Sequence, residues 1–192
     1  TGCCTASDSE DARKVAAKLD IPYYVLDYTE SFSEKVVDNF IDMYARGLTP
    51  NPCVECNRSV KFDHFLKQAK KLNCDKVATG HYAKVVEKDK TFELHKADYL
   101  DKDQSYVLHM LTSSTLEHVM FPLGTISKPE VRQIAADLGL KTAFKKDSQD
   151  ICFVGKKNYR NFVDKRIDIS TSGEIVNSDG SSMGQHSGVH EF

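Results

Sequence analysis

The chain has 192 residues, 40% of them hydrophobic and 28% charged, with 10 Gly and 5 Pro. At ~100–200 residues per domain this is one domain, or one with part of a second, and the composition excludes collagen-like, coiled-coil and wholly disordered chains. The 26 Lys and Arg nearly balance the 28 Asp and Glu, so global charge says little. No apolar run approaches the ~18 uncharged residues of a membrane-spanning helix. Thr1 to Asp8 lack the charged and apolar regions of a signal peptide, so a cytoplasmic protein is expected.

In chain order, Ser7 to Glu10 fits a capping box ahead of Ala12, Val15, Ala16 and Leu19, which share one helical face. Ile21-Pro22 ends that helix, and Tyr23 to Leu26 reads as a strand. A second box, Ser31 to Glu34, precedes Val36, Val37, Phe40, Ile41 and Tyr44, with Gly47 placed to stop the helix. A third helix, starting near Ser59, carries Val60, Phe65, Leu66, Ala69 and Leu72 inward. Lys76 to Thr79 reads as a buried strand with Gly80-His81 at its carboxyl end, where open parallel α/β sheets bind ligands.

Lys84–Glu87 and Thr91–His95 form a hairpin around Lys88-Asp89-Lys90. Gln104 to Leu111 is a short helix candidate. Ser127 to Glu130 is another capping box, with Pro129 in the first turn, ahead of Val131, Ile134, Ala135 and Leu138 and the stop at Gly139. Asn158 to Arg166 suits one more helix. Ile169 to Phe192 is rich in Ser and Gly, with apolar pairs such as Ile175-Val176, and suits the opening of a β-rich second domain.

Two features carry chemistry. Residues 141 to 166 hold eight basic residues against Asp147, Asp150 and Asp164, a net +5, which is either a solvated face or a phosphate-binding one. The six cysteines do not suggest a disulfide scaffold in a chain long enough for an ordinary core. Cys3, Cys4 and Cys74 read as structural or incidental.

Cys53 and Cys56 form a CxxC beside Pro50 and Pro52, which fix backbone angles and point to a stiff, non-helical loop. Cys56 then sits just before a helix, where the helix terminus and Arg58 lower a thiol pKa. The pair is either reactive or metal-bound, or simply packed. One CxxC cannot complete a structural zinc site. With Cys152 as a third sulfur, the set suits an iron-sulfur cluster with one open iron, or a nucleophile with a resolving thiol.

Several stretches, in this order, resemble the bacterial tRNA-specific 2-thiouridylase family of the ATP pyrophosphatase superfamily. They are Thr49-Pro50-Asn51-Pro52 with Cys56-Asn57-Arg58-Ser59-Val60-Lys61-Phe62, Ala78-Thr79-Gly80-His81-Tyr82-Ala83, Lys102-Asp103-Gln104-Ser105-Tyr106, Phe121-Pro122-Leu123-Gly124 and Ser148-Gln149-Asp150-Ile151-Cys152-Phe153. The resemblance implies an α/β fold with a Rossmann-like parallel sheet of the adenine nucleotide alpha hydrolase type. It implies a partial ATP pyrophosphatase domain over residues 1–154 and the start of a small β-rich central, tRNA-binding domain over 155–192. The family's SGGxDS phosphate loop is not found and the chain ends before the family's C-terminal β-barrel. An internal piece, truncated at its N-terminus and inactive alone, is therefore expected.

The activity the resemblance implies is ATP-dependent replacement of the wobble uridine O2 by sulfur in tRNAs of the lysine, glutamate and glutamine type, with Mg accompanying ATP. By resemblance, Cys152 carries a persulfide received from a sulfur-carrier protein or cysteine desulfurase relay. Cys56 attacks it to release sulfide or close a disulfide. Gly80 contacts ATP, Asn51, Pro52 and Cys53 lie against the target base, and His81, Lys102, Asp103 and Gln104 contact tRNA. Cys53 stands where many members carry Asp, and its CxxC resembles relatives that hold a 4Fe-4S cluster, with Cys53, Cys56 and Cys152 as ligands. The rival readings are another ATP pyrophosphatase, and a metal-stabilised binding module in which the cysteines only hold the fold.

Overall fold

Helices dominate the first part of the chain in the computed structural model, which describes residues 6–145, 151–154, 159–167 and 172–191. Helix α1 (Ala6–Lys18) already contains Ser7, so the expected capping box does not form. Glu10 instead grips the Arg13 guanidinium with both oxygens, each at 2.7 Å. Ala16 is buried on this helix, whereas Leu19, expected inside, is exposed. Asp20 takes a left-handed conformation at φ 52° and closes the helix. The strand expected at Tyr23–Leu26 does not form. A strand exists through its ladder partner, and here Tyr24 and Val25 project into solvent, 64% and 73% exposed.

The chain divides into two compact units. One is built on Asp27–Pro52 with segments from both ends of the chain. In it, Asp27 Oδ1 accepts the Thr29 N–H at 2.9 Å and starts a continuous helical run. The run comprises α2 (Thr29–Phe32), a π-helical stretch (Ser33–Val37) and α3 (Asp38–Ala45). The start therefore lies ahead of the Ser31–Glu34 box, with Tyr28 at the N-cap and the Asp27 carboxylate turning the chain into the helix.

Val36, Phe40 and Tyr44 point inward as the spacing predicts. Gly47, at φ 70°, ends the run, with Leu48 N–H bonded to the Met43 carbonyl at 2.9 Å. The core is aromatic. Phe40 meets Phe153 edge-on at 5.2 Å and Tyr44 stacks on Tyr159 at 4.7 Å, with Val163 of α8 (Tyr159–Asp164) fully buried among them.

The other unit comprises Glu10–Leu26 and Cys53–Asp147. Its long helical run opens as α4 (Pro52–Cys56), continues through a π-helical stretch (Asn57–His64) and closes as α5 (Phe65–Lys71). Of the two prolines that suggest a helix-free loop, Pro52 instead starts a helix. Pro52 is its first residue, where a missing N–H costs nothing and the fixed φ already suits the helix. Val60 and Ala69 are buried as expected, Phe62 joins them, and Leu72 is exposed.

Strand β1 (Val77–Ala78) pairs in parallel with β4 (Val119–Met120). Between them lie the expected hairpin, β2 (Ala83–Lys88) and β3 (Thr91–Lys96), and the short helix α6 (Ser113–Leu116). The hairpin turns on Asp89 and Lys90, both at positive φ, the geometry that suits the strands' twist. The helix expected over Gln104–Leu111 is reduced to a 3-10 turn at Ser105–Val107. Helix α7 (Lys128–Asp137) has the predicted Ser127/Glu130 capping box, and Gly139 follows it at φ 63°. The tail carries an antiparallel pair, β5 (Gly173–Val176) and β6 (Ser182–His186), in the region read as β-rich.

The core of this second unit joins Phe62, Ala83, Val107, Leu108, Leu116, Val119 and Phe121. Gly124 presses so closely on the hairpin that a Cβ there would lie 2.0 Å from the Ala83 carbonyl oxygen. Backbone cannot yield as a flexible side chain does. Gly124→Ala is therefore expected to destabilise the fold by ~1–3 kcal/mol or more, read as a lowered thermal midpoint; an unchanged midpoint would contradict the close approach.

Candidate functional site

At the carboxyl end of β1 the chain opens into a cleft of about 500 Å³, lined by Lys61, Phe65, Ala78, Thr79, Gly80, His81 and Gln104. This is where a parallel α/β arrangement is expected to bind its ligand. A Cβ added to Gly80 would meet only Leu123 Cδ1, at an ordinary 3.8 Å. Packing therefore does not demand glycine at this position. The space beside Gly80 belongs to the cleft, and a bare backbone leaves it to a ligand.

His81 is fixed by a 2.8 Å hydrogen bond between its Nδ1 and Thr79 Oγ1 and by the rings of Phe62 and Phe121, 6.1 and 6.0 Å away. Burial, and secondly the charge of Lys61, push its pKa down to about 4. The ring is thus neutral near pH 7 and contributes hydrogen bonding and surface, not charge.

The loop of residues 102–104 supports the cleft. Gln104 grips Tyr82 twice: its Oε1 accepts the Tyr82 N–H at 3.1 Å, and its own N–H donates to the Tyr82 carbonyl at 2.8 Å. Asp103 is held as firmly, Oδ1 accepting the Ala97 N–H and Oδ2 the Ser105 hydroxyl, at 2.8 and 2.7 Å. Burial raises its pKa, but the hydrogen bonds from Ser105 and Ala97 and the charge of Lys96 outweigh this and hold it below the ordinary carboxylate range. Lys102 is half-buried at the end of the adjoining 3-10 turn (Leu100–Lys102).

Cys53 is exposed and Cys56 half-buried, three residues apart on α4. This spacing places both on one side of the first helical turn. Arg58, expected to favour a Cys56 thiolate, is instead held by the Glu55 carboxylate at 2.7 and 3.0 Å. Its charge is largely compensated there. Asn51 is exposed at the head of this helix and Pro52 is buried.

Asn57, which was not singled out from the sequence, is 2% exposed and donates from Nδ2 to the Val107 carbonyl at 3.0 Å. It ties the cysteine helix to the segment after Gln104. The available signal was a polar residue three positions before Val60, on the inward face.

Cys152 belongs to the first unit. It lies half-buried in a turn closed by the Val154 N–H on the Ile151 carbonyl, at 3.1 Å. Ile151, Phe153 and Val154 pack against the Phe40 cluster, so the thiol is anchored from both sides. In the basic run, Lys145 pairs with Asp11 at 2.9 Å and the Arg166 guanidinium lies 3.8 Å from the centre of the Phe162 ring. Cys3, Cys4, Lys146, Ser148, Gln149, Asp150, Lys156 and Lys157 fall outside the described residues. Among the described residues, no group of three or more His, Cys, Asp or Glu side chains is placed to hold a metal ion. No helix among them is long and apolar enough to cross a membrane.

Residues 1–156 match the family described as the tRNA methyl transferase HUP domain. The chain belongs to that family. A HUP domain is a Rossmann-like α/β fold, to which the parallel pair with a cleft at its carboxyl end conforms. The tRNA-specific 2-thiouridylase MnmA of Rickettsia peacockii (strain Rustic) is 49% identical over 191 residues, 99% of this chain and 52% of the relative. That of Rickettsia bellii (strain OSU 85-389) is 50% identical over the same shares. The chain spans about half the length of the curated relatives it matches.

The His81 environment can be checked directly. An NMR titration of its imidazole is expected to give a pKa near 4, against about 6.5 for an unperturbed ring. Because the folded value is lowered, the unfolded chain takes up this proton first. The stability contributed by the neutral ring is thus present above about pH 6.5 and lost as pH falls towards 4. A midpoint near 6.5 in the folded protein would contradict the buried environment.

Proposed function

We propose that the full-length protein containing this chain is a tRNA 2-thiouridylase, which uses ATP with Mg to replace O2 of the wobble uridine by sulfur. The observation that carries this reading is the identity of about half the residues, over 99% of the chain, to relatives named for that reaction. The cleft beside Gly80 and the thiols of Cys56 and Cys152 supply matching chemistry. The family description speaks of methyl transfer, whereas the relatives' names speak of thiolation, and a pair of thiols is the equipment of the second reaction.

The reaction needs O2 made into a leaving group and a sulfur nucleophile held in line with C2. Adenylation of O2 by ATP releases pyrophosphate and supplies the leaving group. Cys152, loaded as a persulfide by a sulfur-carrier protein or cysteine desulfurase relay, attacks C2 with its terminal sulfur, and AMP departs with the oxygen. The Cys56 thiolate then attacks the Cys152 sulfur, freeing 2-thiouridine and leaving a Cys56–Cys152 disulfide that an external thiol must reduce. This route runs on thiols alone and needs no iron.

In the same reading Gly80 receives the adenine nucleotide, and Asn51 and Pro52 border the base extruded from its stack. His81 and residues 102–104 adjoin the tRNA. The substrate tRNAs are of the lysine, glutamate and glutamine type.

In the full-length enzyme, Cys152→Ser and Cys56→Ser are expected to abolish 2-thiouridine formation while ATP binding persists, and Cys74→Ser to leave it intact. Mass spectrometry of nucleosides from the treated tRNA reads the result. Cys53→Ser is expected to retain activity on the thiol route; its loss together with bound iron would favour a cluster. Thiolation at the parental rate by Cys152→Ser would overturn the proposal, since a serine hydroxyl cannot carry the transferred sulfur. Gly80→Ala, which meets no protein atom closer than 3.8 Å, is expected to keep the thermal midpoint and weaken nucleotide binding at least tenfold. Unchanged binding would remove Gly80 from the nucleotide site.

A further inference from the structure

The cleft beside Gly80 carries an asymmetry of charge. Of the described residues that line it, Lys61 alone is charged, and no carboxylate shares the lining. The acids on the same helical run are engaged elsewhere: Glu55 holds Arg58 at 2.7 Å, and Asp63 holds Lys67 at 2.6 Å. The other basic group at the cleft, His81, is neutral near pH 7. The cleft thus presents one ammonium beside an open glycine backbone and the ring of Phe65.

We infer that Lys61 is the anion-recognition residue of this cleft and takes the phosphate nearest the nucleoside of a nucleotide whose base and sugar lie against Gly80 and Phe65. The inference rests on the nucleotide reading above and adds a residue and a charge preference to it. A single ammonium is a strongly hydrated point charge with three rotatable donors. One such charge suits one phosphoryl group, such as that of AMP or of an adenylated oxygen. The multiply charged tail of a triphosphate calls for several donors together, as phosphate-binding backbone loops provide. Lys61 therefore marks the part of the cleft where the adenylyl group rests when AMP is the leaving group.

Calorimetric titration of the full-length protein with adenosine, AMP and inorganic phosphate tests this, with thermal midpoints confirming that each variant is folded. AMP is expected to bind at least tenfold more tightly than adenosine. Lys61→Gln should bring AMP down to the adenosine level without altering adenosine itself, and Lys61→Arg should keep most of the preference. Equal binding of AMP and adenosine by the unaltered protein, or an AMP affinity unmoved by Lys61→Gln, overturns the assignment of Lys61 and leaves the nucleotide cleft standing. Phosphate binding as tight as AMP overturns the nucleotide reading and spares the anion role. No binding of any of the three overturns both.

Discussion

The second unit depends on how the segment after β1 is held. Gly80, His81 and Tyr82 leave the strand without a ladder of their own, and Gln104 fastens Tyr82 on both its N–H and its carbonyl side. Asp103, next in line, spends both carboxylate oxygens on Ala97 and Ser105. Gly124 then allows the Phe121–Gly124 turn to close against Ala83. Charged-to-neutral and neutral hydrogen bonds in a partly buried setting each contribute on the order of 1 kcal/mol net, but leaving such groups unpaired costs more. The segment is therefore defined mainly by what its alternatives would leave unsatisfied. Residues that a sequence motif suggests as ligand contacts act here first as the scaffold of the cleft.

Much of this arrangement was legible in the residues. The hairpin, the α7 capping box, the Gly47 and Gly139 stops and the short strand ahead of Gly80 follow from local rules that tertiary packing had no reason to override. Two of the failures share a cause, a residue with two lawful roles. Pro52 can break a helix or begin one, and here it stands first in α4. Glu10 can cap a helix or pair with Arg13, and the second is available wherever the helix has already started. Tyr23 to Leu26 has the composition of a strand, but composition does not supply a neighbour.

The candidate site was legible in the same uneven way. Gly80 and His81 were found from their place at the end of a strand, and the cysteines from their spacing and family resemblance. Sequence could not tell that Arg58 would be compensated by Glu55, because at i and i+3 either side chain can turn elsewhere. Nor did it reveal that His81 would be neutral, since that depends on Phe62 and Phe121, residues distant in sequence, closing around the ring. Nor does the motif that contains Lys61 assign it a role, since that depends on which neighbouring charges are engaged.

The π-helical stretch between α4 and α5 has a consequence for how the cysteines are aimed. Wider turns accommodate an additional residue relative to a regular α-helix, and such insertions recur where function needs a face re-oriented. In the α-form each residue advances the helix by about 100°. Removing one residue from a regular helix would therefore swing Cys53 and Cys56 round the axis by that angle, whereas removing one between Asn57 and His64 lets the widened stretch close to the α-form and absorbs most of the swing. The wide turn is a length of slack, which holds a surplus residue while the thiols keep their bearing on the buried Ala69.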